Sequence, residues 1–136
     1  MAATLKLEIV TPEAKVFSEE VEMVSLTGID GDMGIYPEHM PLMTQLVAGE
    51  VIARKNASDI SLAVGDGFVQ VTKDRVAILT DMAIKSEDID EAAAELARKK
   101  AEARLVQKLS DEETATVQAS LAHAMAQLKV KQRHKK

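Results

Sequence analysis

The segment Gly28–Pro41, GIDGDMGIYPEHMP, gathers the residue types from which ligand and catalytic sites are built. It holds Asp30, Asp32, Glu38 and His39, with glycines at 28, 31 and 34 and prolines at 37 and 41. A phosphate cradle needs backbone N–H groups presented by a glycine-rich loop that opens a helix. Glycines three residues apart do not match that spacing, no helical pattern follows, and no Gly-Lys-Ser/Thr occurs. These glycines read instead as positive-φ positions in tight turns. A metal-dependent hydrolase could use His39 with Asp30 and Asp32. The chain has only 3 histidines, however, and His123 and His134 lie far along it, whereas catalytic zinc wants several ligands in a fixed constellation. No serine sits in a nucleophile elbow. The remaining reading is a loop stiffened by Pro37 and Pro41 that shows apolar Met33, Ile35, Tyr36, Met40, Leu42 and Met43 to a partner.

The elements that must hold this segment fall into two regimes. Residues 1–86 contain all 6 glycines and all 3 prolines and are rich in Val, Ile, Leu and Thr; residues 87–136 contain neither Gly nor Pro. The first part carries 7 basic against 13 acidic residues and the second 10 against 9. Alternating or apolar runs at Leu5–Val10, Val21–Leu26, Glu50–Lys55, Ile60–Val64, Gly67–Val71 and Arg75–Leu79 predict short strands between turn signals. Strands so evenly spaced make an antiparallel sandwich or barrel. Its expected core is Leu7, Ile9, Val24, Leu26, Ile52, Leu62, Val64, Phe68, Val69, Val71, Ile78 and Leu79.

After Ser86 two helices are expected. Asp88 with Glu91, and Ser110 with Glu113, have the spacing of capping boxes. Val117, Leu121, Ala124 and Leu128 form the stripe of the second helix; Ile89, Ala92, Ala93, Leu96 and Ala103 share a face of the first. Gln107–Ser110 is short enough to make the helices antiparallel neighbours. Eleven alanines occur here, and each buries about one methyl, roughly 0.8 kcal/mol. Either a detachable hairpin or one packed permanently on the sandwich satisfies that composition. The fold class is therefore α+β, an N-terminal antiparallel β-sandwich (1–86) followed by a C-terminal antiparallel two-helix hairpin (87–136).

Composition narrows the function. There is no cysteine, hence no disulfide and no thiolate chemistry, which fits a reducing compartment. The net charge of −5 and an aromatic set limited to Phe17, Tyr36 and Phe68 argue against nucleic-acid binding. No run is long and apolar enough to span a bilayer, and no leader follows Met1, so the chain is expected to begin here and to be soluble.

The order of these features resembles the epsilon-subunit family of the F-type ATP synthases over essentially the whole chain. Gly31, Gly34, Ile35, Pro37, His39, Pro41, Leu42 and Thr44 match the family's Gly-acidic-x-Gly-Ile-x-Pro-Gly-His-x-Pro-Leu-x-Thr segment. VGDGFVQVTKDRVAILTDMA looks like its next hairpin and strand, and AIKSEDIDEAAAELARKKAEARL like the start of its helices. Glu38 stands where the family usually has glycine. The resemblance implies a ten-stranded sandwich that docks on the gamma subunit and on the polar loops of the membrane c-ring. It also implies a hairpin that can extend along gamma towards the alpha and beta subunits and block ATP hydrolysis. The chain would be a non-catalytic rotor subunit of a hydrogen-ion-driven ATP synthase, peripheral on the cytoplasmic face of a bacterial plasma membrane. Contacts with gamma and the ring map to Gly31, Asp32, Met33, Gly34, Ile35, Tyr36, Pro37, His39, Met40, Pro41 and Leu42. Contacts of the extended hairpin map to the cluster of Arg98, Lys99, Lys100 and Arg104, and to Lys129, Lys131 and Arg133 in the tail Lys129–Lys136. Some family members bind ATP through Ile/Leu-Asp-x-x-Arg-Ala. Here Ile89, Asp90, Ala93 and Ala94 occupy that register, and alanine replaces the arginine that would fork onto phosphate. No cofactor is expected. The competing readings are a free-standing β-sandwich adaptor with a helical tail, and the small hydrolase.

Overall fold

A computed structural model describes residues 3–38 and 40–133. Ten strands precede two helices: β1 (Leu5–Val10), β2 (Lys15–Val21), β3 (Met23–Gly28), β4 (Gly31–Ile35), β5 (Leu42–Leu46), β6 (Gly49–Lys55), β7 (Ser58–Val64), β8 (Gly67–Val71), β9 (Arg75–Thr80), β10 (Ala83–Lys85), α1 (Glu91–Leu105) and α2 (Asp111–Arg133). Hydrogen bonding runs β10-β7-β6-β3-β5-β8-β9-β1-β2, with β4 on the other side of β3. Every pair is antiparallel except β1 with β9. β3 joins two layers: its start pairs with β6, and its last residue, Gly28, pairs with Leu46 of β5.

Alternation places the core. Leu5, Leu7 and Ile9 of β1 point inward and meet Val24, Leu26, Ile35, Val51, Leu62, Val69, Val76 and Ile78 in one closed cluster. Packing of this kind supplies most of the sandwich's stability, at about 1.5–3 kcal/mol per large apolar side chain. Glu8 on the outer side of β1 ties three strands: Lys15 lies 3.0 Å and Arg75 3.2 Å from its carboxylate. The hydrogen bond from Lys15, and then the charge of Arg75, hold that carboxyl below its ordinary range. Its contribution is therefore present above the unfolded-state value and lost as pH falls through the lower folded value. The β6–β7 turn places Asn56 at φ 53° and Ala57 at φ 64°, the paired left-handed residues of a twisted two-residue hairpin.

Several expectations change. β2, β4, β5 and β10 were not foreseen as strands, and Val21–Leu26 straddles the end of β2 and the start of β3. Ile52, Phe68 and Leu79 are not core: Val51 and Ala53, Val69, and Ile78 take the inward positions beside them. In a strand, a slip of one residue exchanges the faces, and two adjacent apolar residues leave the phase ambiguous.

The hairpin also rotates relative to expectation. Asp90, not Asp88, caps α1, accepting from the Ala93 N–H at 3.0 Å, while Ser86–Asp88 form a single 3-10 turn. Ala94 and Ala101 are its buried residues; Ala92, Ala93, Leu96 and Ala103 are exposed. The Ser110 capping box forms reciprocally, Glu113 N–H to Ser110 Oγ and Ser110 N–H to Glu113 Oε1, both at 3.1 Å. On α2, Val117, Ala124 and Leu128 are buried, Leu121 is half-buried and Met125 is exposed. Two further α2 residues, Ala126 and Val130, pack with Ala63 of β7 and Ile89 in a second, much smaller cluster. β7 is thus buried on both faces from Ser61 to Val64.

Candidate docking surfaces

The segment singled out in the sequence is two strands and a connection. Gly31, Asp32, Met33, Gly34 and Ile35 form β4, registered against β3 from Val24↔Ile35 to Gly28↔Gly31. Gly31 takes φ +124°, a conformation open to glycine, at the turn of that hairpin. Asp32 accepts from the Thr27 hydroxyl at 2.9 Å. Ile35 has no exposed surface, so it anchors β4 in the core and presents nothing to a partner. Past it the chain emerges: Tyr36 is 60% exposed and Met40 79%. Pro37 is half-buried, Pro41 and Leu42 are exposed, and His39 lies outside the described residues. Glu38 takes φ 66°, the left-handed region, which accounts for glycine being usual there in the family the sequence resembles. Its N–H donates to the Lys73 carbonyl at 2.9 Å and pins this connection against the β8–β9 turn.

A second surface was not foreseen. The register aligns Gln45, Phe68, Leu79 and Val10 across β5, β8, β9 and β1, and Met43, Gln70, Ala77 and Glu8 in the next row. These rows alternate with the buried ones, so they lie on the outer face of this layer. Phe68 and Leu79 are more than half exposed there, as are Met43 and, at the rim, Ile29. Among the described residues no element covers them. The available signal was a pair of doubled apolar positions, Phe68-Val69 and Ile78-Leu79, which mark strands with apolar residues on both faces.

The basic residues of the hairpin are largely committed inside the chain. Arg98 bridges Glu95 and Glu102 on its own helix, and Arg104 lies 3.6 Å from Glu113. Lys131 donates to the Ser86 carbonyl at 3.3 Å, and Arg133 pairs with Glu50 of β6. Lys99, Lys100 and Lys129 are exposed. In this docked arrangement Arg98, Arg104, Lys131 and Arg133 thus have partners within the chain. In the register of the ATP motif, Ile89 and Ala94 are buried, Asp90 is spent on the helix cap, and Ala93 offers only a methyl. Among the described residues, no group of three or more His, Asp or Glu side chains is placed to hold a metal ion.

The chain matches two family models: "ATP synthase, Delta/Epsilon chain, beta-sandwich domain" over residues 4–86 and "ATP synthase, Delta/Epsilon chain, long alpha-helix domain" over 87–132. An ATP synthase epsilon chain of Dehalococcoides mccartyi is 47% identical over 135 residues, spanning 98% of this chain and 96% of the relative. One from Laribacter hongkongensis is 38% identical over 129 residues, 93% and 92% of the two chains. The fold is similar to a chain in the Euglena gracilis mitochondrial ATP synthase OSCP/F1/c-ring structure, with a TM-score of 0.75 at 21% identity, covering 93% of this chain and 80% of that one. A chain in the central stalk and c-ring structure of the Tetrahymena thermophila mitochondrial ATP synthase gives 0.63 at 12% identity, covering 93% and 96%.

Proposed function

The chain belongs to the delta/epsilon chain family of the ATP synthases, and on that premise we propose that its uncovered sheet face and its β4–β5 connection dock it to the turning parts of the complex. It is a stalk subunit of an ATP synthase and not a catalytic one. Its contribution to ATP synthesis and ion transport is mechanical. Among the described residues no helix is long and apolar enough to cross a membrane, and the chain joins the membrane-associated complex through its neighbours. The face of the bacterial membrane that this reading assigns is the cytoplasmic one.

The assignment of partners follows the chemistry of the two surfaces. The row carrying Phe68 and Leu79, with Met43 and Ile29 beside it, suits a lasting protein contact, because large apolar groups gain most from a cover that excludes water. The gamma subunit is the partner assigned to it. The connection bearing Tyr36, Met40, Pro41 and Leu42, with Asp32 on the adjoining strand, is assigned to the polar loops of the c-ring. Methionine suits a surface that must adapt its shape. The hairpin is the movable part. Extended towards the alpha and beta subunits, it would hold back ATP hydrolysis with Lys99, Lys100 and Lys129 and with the basic groups that undocking releases, Lys131 and Arg133.

The observation that carries this reading is the exposed apolar row on a sheet face that the described residues leave bare, in a family whose members work inside a larger machine. A chain ending at Ser86 tests it. Purified complexes should retain the truncated chain with gamma and the c-ring, and should hydrolyse ATP faster than complexes with the full chain. Loss of the truncated chain from the complex would remove the docking assignment. Unchanged hydrolysis would remove inhibition by the hairpin.

A further inference from the structure

Strand β4 has a single partner. It pairs with β3 along five positions without a register shift, and among the described residues no strand lies on its other side. The bonds of β3 fix which backbone groups of β4 are left over. Val47 N–H donates to the Thr27 carbonyl, and Ile29 N–H donates to the Gln45 carbonyl. The odd-numbered residues of β3 therefore turn their backbone groups to β5 and β6, and the even-numbered ones turn theirs to β4. Opposite Val24, Leu26 and Gly28 stand Ile35, Met33 and Gly31, which bond back. The N–H and C=O of Asp32 and Gly34 thus point out of the sheet. The other edges are closed or blunted. β10 is three residues long and gives way to the turn whose Ser86 carbonyl Lys131 of α2 holds. β2 has an irregularity opposite Ile9 and Val10, and its end closes on β6 through Lys55–Glu19 and a bond from Glu22 N–H to the Arg54 carbonyl. β4 has no lysine, proline or bulge, the usual guards of an open edge. Its one charge, Asp32, is held by the Thr27 hydroxyl.

We propose that an extended segment of a neighbouring chain in the complex adds to this edge as a further strand, pairing through the backbone of Asp32 and Gly34. The segment alternates in character. Beside Met33 and Ile35 it is apolar, because those side chains turn to the core and Met33 is only half-buried there. Beside Asp32 and Gly34, both exposed, it is polar or small. Gly34 has no side chain to hinder the approach. The inference rests on the docking proposed above and deepens it. Tyr36 and Met40, both exposed, continue from the same strand, so the added segment and that connection form one contact. Main-chain bonds fix a register, which the adaptable methionines alone do not.

Gly34→Pro tests the pairing, since proline removes the outward N–H and is accepted on an edge strand whose N–H faces solvent. Gly34→Ala is its control. It keeps the N–H, and its Cβ would stand 3.7 Å from Met23 Cε and 3.8 Å from Tyr36 Cε2, ordinary contact distances. Each full-length chain is titrated into ATP synthase stripped of this subunit. Gly34→Ala should bind within about twofold of the parent, and Gly34→Pro about tenfold more weakly. Amide hydrogen exchange needs no variant. The Asp32 and Gly34 N–H groups should exchange freely in the isolated chain and about tenfold or more slowly in the complex. Parent-like affinity of Gly34→Pro would overturn the proposal, as would unslowed exchange at both amides in complexes that retain the chain. If those amides stay fast while Phe68 and Leu79 become covered, strand addition fails and the docking face stands. If the parent does not rejoin the stripped complex, both fail. An isolated chain that is a dimer, and that Gly34→Pro takes apart, would give the edge to a second copy and overturn the proposal too.

Discussion

The sandwich has two outer faces, and the chain covers one of them. Over β6 and β7 lies α2, yet what it buries is small: Ala63 from below, Ala126 and Val130 from above, with Ile89 at the edge. The opposite layer carries Phe68 and Leu79, far larger groups, and they face solvent. Covering a methyl is worth about 0.8 kcal/mol and covering a large apolar side chain about 1.5–3 kcal/mol. The face with more to gain from a cover is the one that the described residues leave bare. On the function proposed above, the bare face is the one that another chain completes, and the covered face is the one with the lighter, reversible contact. Polar links such as Arg133–Glu50 and Lys131–Ser86 aim α2 without adding much hold.

Adjacent residues on β9 offer the sharpest break between inside and outside. Ile78 is buried and Leu79 is 55% exposed. Ile78→Ala should cost about 2–5 kcal/mol of unfolding free energy in denaturant titrations. Leu79→Ser should leave that stability within about 0.5 kcal/mol, as surface changes do. It should instead weaken association with the partner by roughly 2 kcal/mol, about thirtyfold in Kd by titration. Equal losses of stability in the two variants would erase the distinction between a core row and a docking row. A smaller effect is expected from Val130→Ala on the covered face, about 1–3 kcal/mol. It should appear as faster amide exchange or proteolysis of α2, with the denaturant midpoint of the sandwich unmoved. If the sandwich melts with it, the hairpin is part of one cooperative core and the contrast fails.

Much of this architecture was legible in the residues. The shift at Ser86 separates glycine- and proline-bearing strands from helices without either, because each residue type disrupts helix interiors. Ser110 and Glu113 announced the start of α2, since a capping box is a purely local interaction. What failed was phase. Phe68 and Leu79 are as apolar as Val69 and Ile78, and only pairing with β5 and β1 decides which of each pair turns inward. The same holds for α1, where alanine is so frequent that several faces look equivalent until α2 selects Ala94 and Ala101. The Gly28–Pro41 segment was taken for a loop, and part of it is strand β4. Its glycines broke the strand pattern, and β4 exists because β3 pairs with it along five positions. The surface formed by the rows through Met43 and Phe68 could not be read at all without the register, since it is assembled from four strands.

The central claim is that the bare outer face, with Phe68 and Leu79 at its middle, is the surface by which this subunit is built into its complex. Side-chain oxidation by hydroxyl radicals, residue by residue, in the isolated chain and in the assembled ATP synthase, tests it most directly. Phe68, Leu79 and Met43 should lose most of their reactivity on assembly, with an added radical dosimeter as the common reference in both samples. If Phe68 and Leu79 oxidise as fast in the complex as in the free chain, that face has no partner and the account is contradicted.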